Sequence, residues 1–535
     1  MPTATVQNPV LRGMNPDPSI CRVGEDYYLA TSTFQWFPGV DLYHSRDLIH
    51  WEALPSPLRR VSQLDLLGIP NSGGVWAPCL SYSDGVFYLI YTVVTSQHGI
   101  YKDTHNYLVT ATDPRGEWSE PVYLNSSGFD PSLFHGEDGR KWLLNMRWDP
   151  RMDKHPFAGI LLQEYDPTAK RLIGTPKLIY DATEIGLTEA PHLYKIGEYY
   201  YLMVAEGGTS YRHGIRMARS HALLGPYETD PKPLLTTRDH PDYPLQRAGH
   251  GCLFDTPDGR WHTVFLCGRP ITDKQRCILG RETGIAPLSL NDNGWFRLAD
   301  GGVLPPLQFE SHLPEVTYPD EEAEGCDFFS FDELPPRYKT LRIPFSDEMG
   351  SLTARKGWLR LYGRESMQSH HRQSLVVRRL CHHVAGITVK MEFSPRDFQQ
   401  EAGLTVFYDT CNFFYLFVTG DGEGGRELRL LERRNLVFAD PLGGAIPINR
   451  DGAVWLRARM DYGRLTFFYS TDGRDFHAVC GVLDATNLSD EAYKEMGDHG
   501  FTGTFVGMAC QDLSGGADGE TAYADFAYLD YSTMQ

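Results

Sequence analysis

One short pattern recurs five times within the first 310 residues of this 535-residue chain. The copies read "DPSICRVGEDYYLA" from Asp17, "WAPCLSYSDGVFYLIY" from Trp76, "DPSLFHGEDGRKWLL" from Asp130, "EAPHLYKIGEYYYLMV" from Glu189 and "HGCLFDTPDGRWHTVF" from His250. In each, a short apolar run meets a turn built on glycine and acidic residues. A second run rich in Tyr, Phe, Trp, Leu and Val then returns. Strand, tight turn and returning strand make a β-hairpin. The leading residues are spaced by 59, 54, 59 and 61 positions. A period near 60, with roughly four strands per unit, belongs to a β-propeller, and five units mean five blades. Long helical patterns are scarce, which excludes a TIM barrel.

The innermost strands of a propeller surround its axis, so equivalent positions converge there. Asp17, Trp76, Asp130, Glu189 and His250 would meet in one funnel. An acid before proline can simply bond to the backbone of its own turn. Three acids in register around one axis point instead to a functional site.

The chain is too long for a single ordinary core, so a second domain is expected. After "GGVLPPLQF" the sequence becomes rich in proline and acids, and 311–339 reads as a connector. Over 340–535 the pattern turns to alternating strands such as "TVKMEFSP", "GLTVFYD" and "GRLTFFYSTDGRDFHAV", the pattern of a β-sandwich. Only "NLSDEAYKEMG" reads as a short helix. The propeller domain is thus 1–310 and the sandwich 340–535. The expected class is all-β.

A net charge of −19 excludes nucleic acid and anionic membrane as main partners, since both need basic surfaces. No stretch approaches the roughly 18–20 apolar residues that cross a bilayer. The N-terminal "MPTATVQNPVLRGMNPDPS" lacks the basic head and apolar run of a secretory signal. The ten cysteines are scattered without a Cys-x-x-Cys pair, as for reduced thiols. A cytoplasmic location follows as the expectation. His370-His371 and His382-His383 show no convincing ligand spacing and are read as ordinary strand or surface residues.

The stretches "GMNPDPSI", "STFQWFPGV", "GGVWAPCLSY", "GFDPSLF", "TEAPHLY", "AGHG" and "GRET" closely resemble glycoside hydrolase family 43, and specifically its two-domain β-xylosidases. The resemblance continues to "FTGTFVGMACQDLSG" near the C-terminus. It implies a lectin-like jelly roll for the second domain. It implies Asp17 as general base, Glu189 as general acid and Asp130 as the carboxylate that orients the acid and adjusts its pKa. Arg281 in "LGRETG" would bind sugar hydroxyls, and Phe34, Trp76 and Trp148 would line the terminal subsites. His250 would contact the substrate or base, or else support a calcium ion through water; no cofactor is otherwise required. A loop of the second domain would close the pocket, with Phe505 as the candidate and Phe501 as the alternative. Ala190 departs from the glycine that many relatives carry in "TEGPH".

The implied activity is exo-acting, inverting release of D-xylose from the non-reducing end of β-1,4-xylo-oligosaccharides. The nearest alternative is α-L-arabinofuranosidase activity. From another class comes a non-catalytic carbohydrate-binding propeller, which the presence of all three carboxylates disfavours. Relatives are commonly dimers or tetramers, so a homo-oligomer is expected. Inversion needs one protonated and one ionised carboxyl about 6.5–9.5 Å apart, which residues on different blades can supply.

Overall fold

Each repeat folds into one antiparallel sheet of four strands, with one short extra strand in the fourth. The first blade runs through Ser19–Val23, Asp26–Thr31, Asp41–Ser45 and Glu52–Leu54. The next three open with Gly74–Ser83, Ser132–His135 and Glu189–Ile196, and the fifth with Gln246–Asp255. The computed structural model describes residues 4–271, 275–318, 325–495, 497, 499–515 and 520–533. The hairpin glycines Gly24, Gly85, Gly139, Gly197 and Gly259 all have φ between 57° and 80°. A left-handed turn costs little only without a Cβ, which explains why each copy of the pattern carries glycine there. The ring is joined by Ala4–Gln7, which pairs antiparallel with Gln308–Ser311.

A second set of left-handed residues lies at the axis and corrects the register of the repeat. Asp17, Ala77, Asp130, Ala190 and His250 have φ of 55°, 40°, 53°, 49° and 36°. These are the equivalent positions, so the copies align as DPSI, APCL, DPSL, APHL and HGCL, with intervals of 60, 53, 60 and 60. Trp76 and Glu189, read from sequence as repeat leaders, each stand one residue earlier. Aligning on the bulkiest or most acidic residue misplaced those two blades by one position. Left-handed backbone costs a non-glycine residue about 1–2 kcal/mol, so hydrogen bonds must hold it. The Ala77 amide donates to Ser32 Oγ at 2.7 Å. The Ala190 amide donates to Asp130 Oδ2 at 3.2 Å.

The second domain is a sandwich of two large sheets enclosing a core that includes Leu404, Leu416, Leu456, Phe467 and Phe526. One sheet accepts a strand from the propeller: Trp36–Phe37 pairs with Tyr338–Leu341. The sandwich also starts earlier than its composition suggests. Gly325–Phe328 pairs with Tyr523–Thr533, so the end of the expected connector is an edge strand. Backbone pairing needs no apolar run, and a polar edge strand therefore reads as linker. Positions 319–324 of the connector lie outside the described residues. So does Met496, at the end of the segment read as helical; the helix itself is Asp490–Glu495.

The two domains are fastened by buried polar contacts as well as by the shared sheet. Asp41 of the first blade accepts from both Lys339 and Arg379 of the sandwich. Arg342 Nη2 donates to Asn71 Oδ1 at 2.8 Å. Among the described residues no cysteine pair forms a disulfide, and no helix is long and apolar enough to cross a membrane.

Candidate active site

At the axis, the heads of three blades deliver Asp17, Asp130 and Glu189 into one pocket of about 440 Å³. Asp17 and Asp130 use the left-handed positions just before strands Ser19–Val23 and Ser132–His135. Glu189 opens strand Glu189–Ile196 one residue before its blade's left-handed alanine. The three are only 5, 7 and 8% exposed, so each carboxylate is largely stripped of water. Burial favours the neutral acid unless a partner compensates.

Compensation is given to Asp17. Ser32 Oγ donates to its Oδ2 at 2.6 Å and Arg281 Nη1 donates to its Oδ1 at 2.9 Å. His250 Nδ1 stands 3.6 Å from the same Oδ1. Burial would raise the Asp17 pKa, but the Arg281 charge, His250 and the Ser32 hydrogen bond together hold it below the usual carboxylate value. Glu189 goes the other way. Burial, then the charges of Asp130 and Asp17, push its carboxyl well above the ordinary range. Asp130 is raised too, by burial and by Asp17, against the opposing Ala190 amide and Arg281. One carboxyl favoured as the anion thus faces two that burial and their mutual repulsion push toward holding a proton between them. That is the division of labour general base and general acid require.

Aromatic rings make the walls. Phe34 and Trp76 lie with ring centres 6.1 Å apart, and the Trp76 Nε1 donates to the Ser72 carbonyl at 2.8 Å. Trp148 sits half-buried at the rim, donating to the Ile100 carbonyl at 2.9 Å, with Lys102 Nζ 5.0 Å above its ring. The sandwich adds Phe501, which stacks on Phe34 at 6.1 Å and 20° and meets Trp76 edge-on at 5.2 Å. Phe505 does not reach the pocket. It begins strand Phe505–Asp512, is fully buried, and packs 4.0 Å from Trp36 in the domain interface. The strand turns the Phe505 side chain onto Trp36 in the interface, whereas Phe501, in the segment before the strand, stacks on Phe34 in the pocket.

Arg281 is the junction between the domains. Its Nη1 holds Asp17, its Nη2 donates to the Phe501 carbonyl at 2.9 Å, and its plane lies over both the Phe34 and Phe501 rings. The preceding Gly280 touches Gly503 of the sandwich so closely that a Cβ on Gly503 would lie 2.7 Å from the Leu279 carbonyl. The backbones can meet there only because both residues lack side chains.

Comparison with known proteins agrees with this geometry. The model of glycosyl hydrolases family 43 matches residues 6–296. The chain belongs to glycosyl hydrolase family 43. A model of the β-xylosidase C-terminal concanavalin A-like domain matches residues 326–532. A β-xylosidase of Bacillus subtilis is 48% identical over 98% of this chain and 99% of its own. A xylosidase/arabinosidase of Humicola insolens is 46% identical over 99% and 98%. The crystal structure of a xylan β-1,4-xylosidase from Bacillus halodurans is 50% identical, with a TM-score of 0.95 over 98% of this chain and 100% of that one.

Within this family 43 pocket, the surroundings of His250 do not suit calcium. Burial, and the nearby Arg281, lower its pKa against the opposing pull of Asp17. Two further histidines, His192 and His213, lie close enough to feel it, and burial holds both at about 3. Calcium takes oxygen ligands, and Asp17 is already engaged by Arg281. Among the described residues no group of three or more His, Cys, Asp or Glu side chains comes together to hold a metal ion. Sequence reasoning missed Ser32, Lys102, Thr209 and Asp490, all in or against the pocket. Ser32 lies in the recognised stretch "STFQWF", so a hydroxyl beside a conspicuous aromatic was its available signal. Asp490 had none, because Tyr408, Arg247 and Arg281, its partners, are all far away in the chain.

Proposed function

We propose that this family 43 protein is an exo-acting, inverting β-xylosidase that releases D-xylose from the non-reducing end of short β-1,4-xylo-oligosaccharides. The observation that carries the proposal is three buried carboxyls, Asp17 held toward the anion by Arg281 and Ser32, and Asp130 and Glu189 pushed by burial and mutual repulsion toward sharing a proton, in a pocket walled by Phe34, Trp76 and Phe501. Phe501 covers the axis from the sandwich side, so a chain end fits and a chain interior does not. Sugar C–H faces pack on such rings. The names of the relatives support xylosides as the substrate class.

Asp17 takes a proton from water as its oxygen attacks C1 of the terminal xylose. Glu189 gives its proton to the glycosidic oxygen as the C1–O bond breaks. Asp130, tied to the Ala190 amide one residue beyond the acid, fixes the direction of Glu189 and keeps its carboxyl protonated. Attack from the face opposite the leaving group turns a β-xyloside into α-xylose. Arg281 stabilises the base as an anion and is within reach of sugar hydroxyls.

A proton NMR time course on xylobiose tests this directly. Early α-xylose, before mutarotation, is expected; early β-xylose would overturn the role given to Asp17. The Humicola relative's name supports a second activity on arabinosides, measured as the ratio of kcat/KM on an aryl β-xyloside and an aryl α-L-arabinofuranoside. Unchanged turnover of xylobiose by Glu189→Ala would overturn the role of the acid, and no release from either substrate by the wild type would leave only the binding reading. The unpaired thiols inside the core, such as Cys79 and Cys252, support a reducing, cytoplasmic setting.

A further inference from the structure

A fourth carboxylate lines the pocket from the sandwich side. Asp490 opens the helix Asp490–Glu495 and is 4% exposed. Its Oδ2 accepts from Arg247 Nη2 of the fifth blade at 2.8 Å, and its Oδ1 accepts from Tyr408 of the sandwich at 2.7 Å. The same Oδ2 lies 3.8 Å from Arg281 Nε. That Nε is buried and finds no hydrogen-bond partner among the described residues. Arg281 therefore stands between two carboxylates, Asp17 at its Nη1 end and Asp490 at its Nε edge.

We propose that Asp490 is a positioning residue: it holds and partly neutralises Arg281 from the side away from Asp17, and so sets the pH range in which the propeller's carboxylates work. The inference rests on the proposed hydrolysis, because the reporter is turnover. Arg281 is the shared counter-charge of the site. It favours the ionised form of Asp17, Asp130 and Glu189 alike. A second anion against the same guanidinium weakens that pull on all three.

The other charged and titratable groups around Asp490 do not duplicate this role. Arg247 is bound by both Asp490 and Glu491, the latter at 2.9 Å. Glu491 also accepts from the Cys277 amide at 3.0 Å, and burial holds the Cys277 thiol neutral. Tyr408 is likewise held neutral by burial and by Asp490 itself. On the far side, Arg281 faces Asp17, with His250 and His213, whose pKa values burial lowers. Burial raises the Asp490 carboxyl while Arg247 and Arg281 oppose it, and with a guanidinium 2.8 Å from one oxygen and a hydroxyl donating to the other it acts as an anion.

The test is the pH dependence of kcat/KM on xylobiose, whose leaving group needs the acid, for the wild type, Asp490→Asn and Glu491→Gln. Asparagine keeps the shape and removes the charge. Arg281 then acts on the three catalytic acids uncompensated, and both limbs of the bell move to lower pH, by about half a unit or more. Glu491→Gln removes an equal charge that contacts Arg247 and not Arg281, and leaves the bell in place. A purely structural Asp490 would change kcat or KM without moving the limbs, and that result overturns the inference. An equal shift in Glu491→Gln overturns it too. Asp490→Ser carries the same expectation if the asparagine variant fails to fold. Turnover by the wild type tests the proposed function by itself, whereas only the difference between profiles tests Asp490.

Discussion

Asp17 and Asp130 reach the axis through one left-handed turn repeated at the head of each blade, whereas Phe501 and Asp490 reach it from a sandwich segment whose contacts occur once in the molecule. Groups delivered by the repeat take their geometry from backbone: a strand, a bend and an amide hydrogen bond. Groups delivered by the sandwich take theirs from how two domains dock. On the proposed mechanism the chemistry therefore sits on the regular scaffold, and the closure and tuning of the pocket sit on the irregular one.

The largest effects should come from the blade-borne acids. Asp17→Asn should lower kcat/KM by about 10³–10⁴-fold on xylobiose and on an activated aryl xyloside alike, because every substrate needs an activated water. Glu189→Gln should cost as much on xylobiose but far less on the aryl substrate, whose leaving group needs no proton. Equal losses for Glu189→Gln on both would break the assignment of acid and base to different blades.

The sandwich's share is separated by two phenylalanines four residues apart. Phe501→Ala should cut kcat/KM on xylobiose by about 10–100-fold, mostly through KM, with little change in Tm. Phe505→Ala should leave KM near the wild-type value and destabilise the fold by about 3–5 kcal/mol, the cost of a cavity beneath Trp36. If the two phenotypes were exchanged, the pocket would be closed by the strand and not by the segment before it. Gly503→Ala sharpens the point. Its Cβ would meet the Leu279 carbonyl, so the docked backbones must part, and a roughly tenfold loss of kcat/KM is expected.

Smaller effects concern stability. In the unfolded chain Glu189 ionises near its ordinary value of 4.5, but in the pocket burial and Asp130 make it hold the proton to much higher pH. The folded state then binds more protons than the unfolded one across that interval. Stability that is complete below pH 4.5 is lost as pH rises through it. Glu189→Gln removes that loss, so Tm should exceed that of the wild type by about 2–4 °C at pH 8 and match it at pH 4.5, read by thermal melts. The smallest change is Ala190→Gly, where relief of the left-handed alanine should add up to about 1 kcal/mol with no change in kcat.

The sequence by itself determined the architecture and the site's acids. Strand and turn are local, and a pattern repeated every 60 residues reports one local solution used five times, which places Asp17, Asp130 and Glu189 on a common axis. Even the one-residue offset of Trp76 and Glu189 was present in the DPSI, APCL and APHL copies. Only the tertiary structure decided which carboxyls are pushed toward holding a proton, that Phe501 and not Phe505 enters the pocket, and that Asp490 shares Arg281 with Asp17. Those outcomes depend on burial and on charges brought within a few ångströms by domain docking. Residues such as Asp490 and Arg247, 243 positions apart, carry no mark of each other in the linear chain.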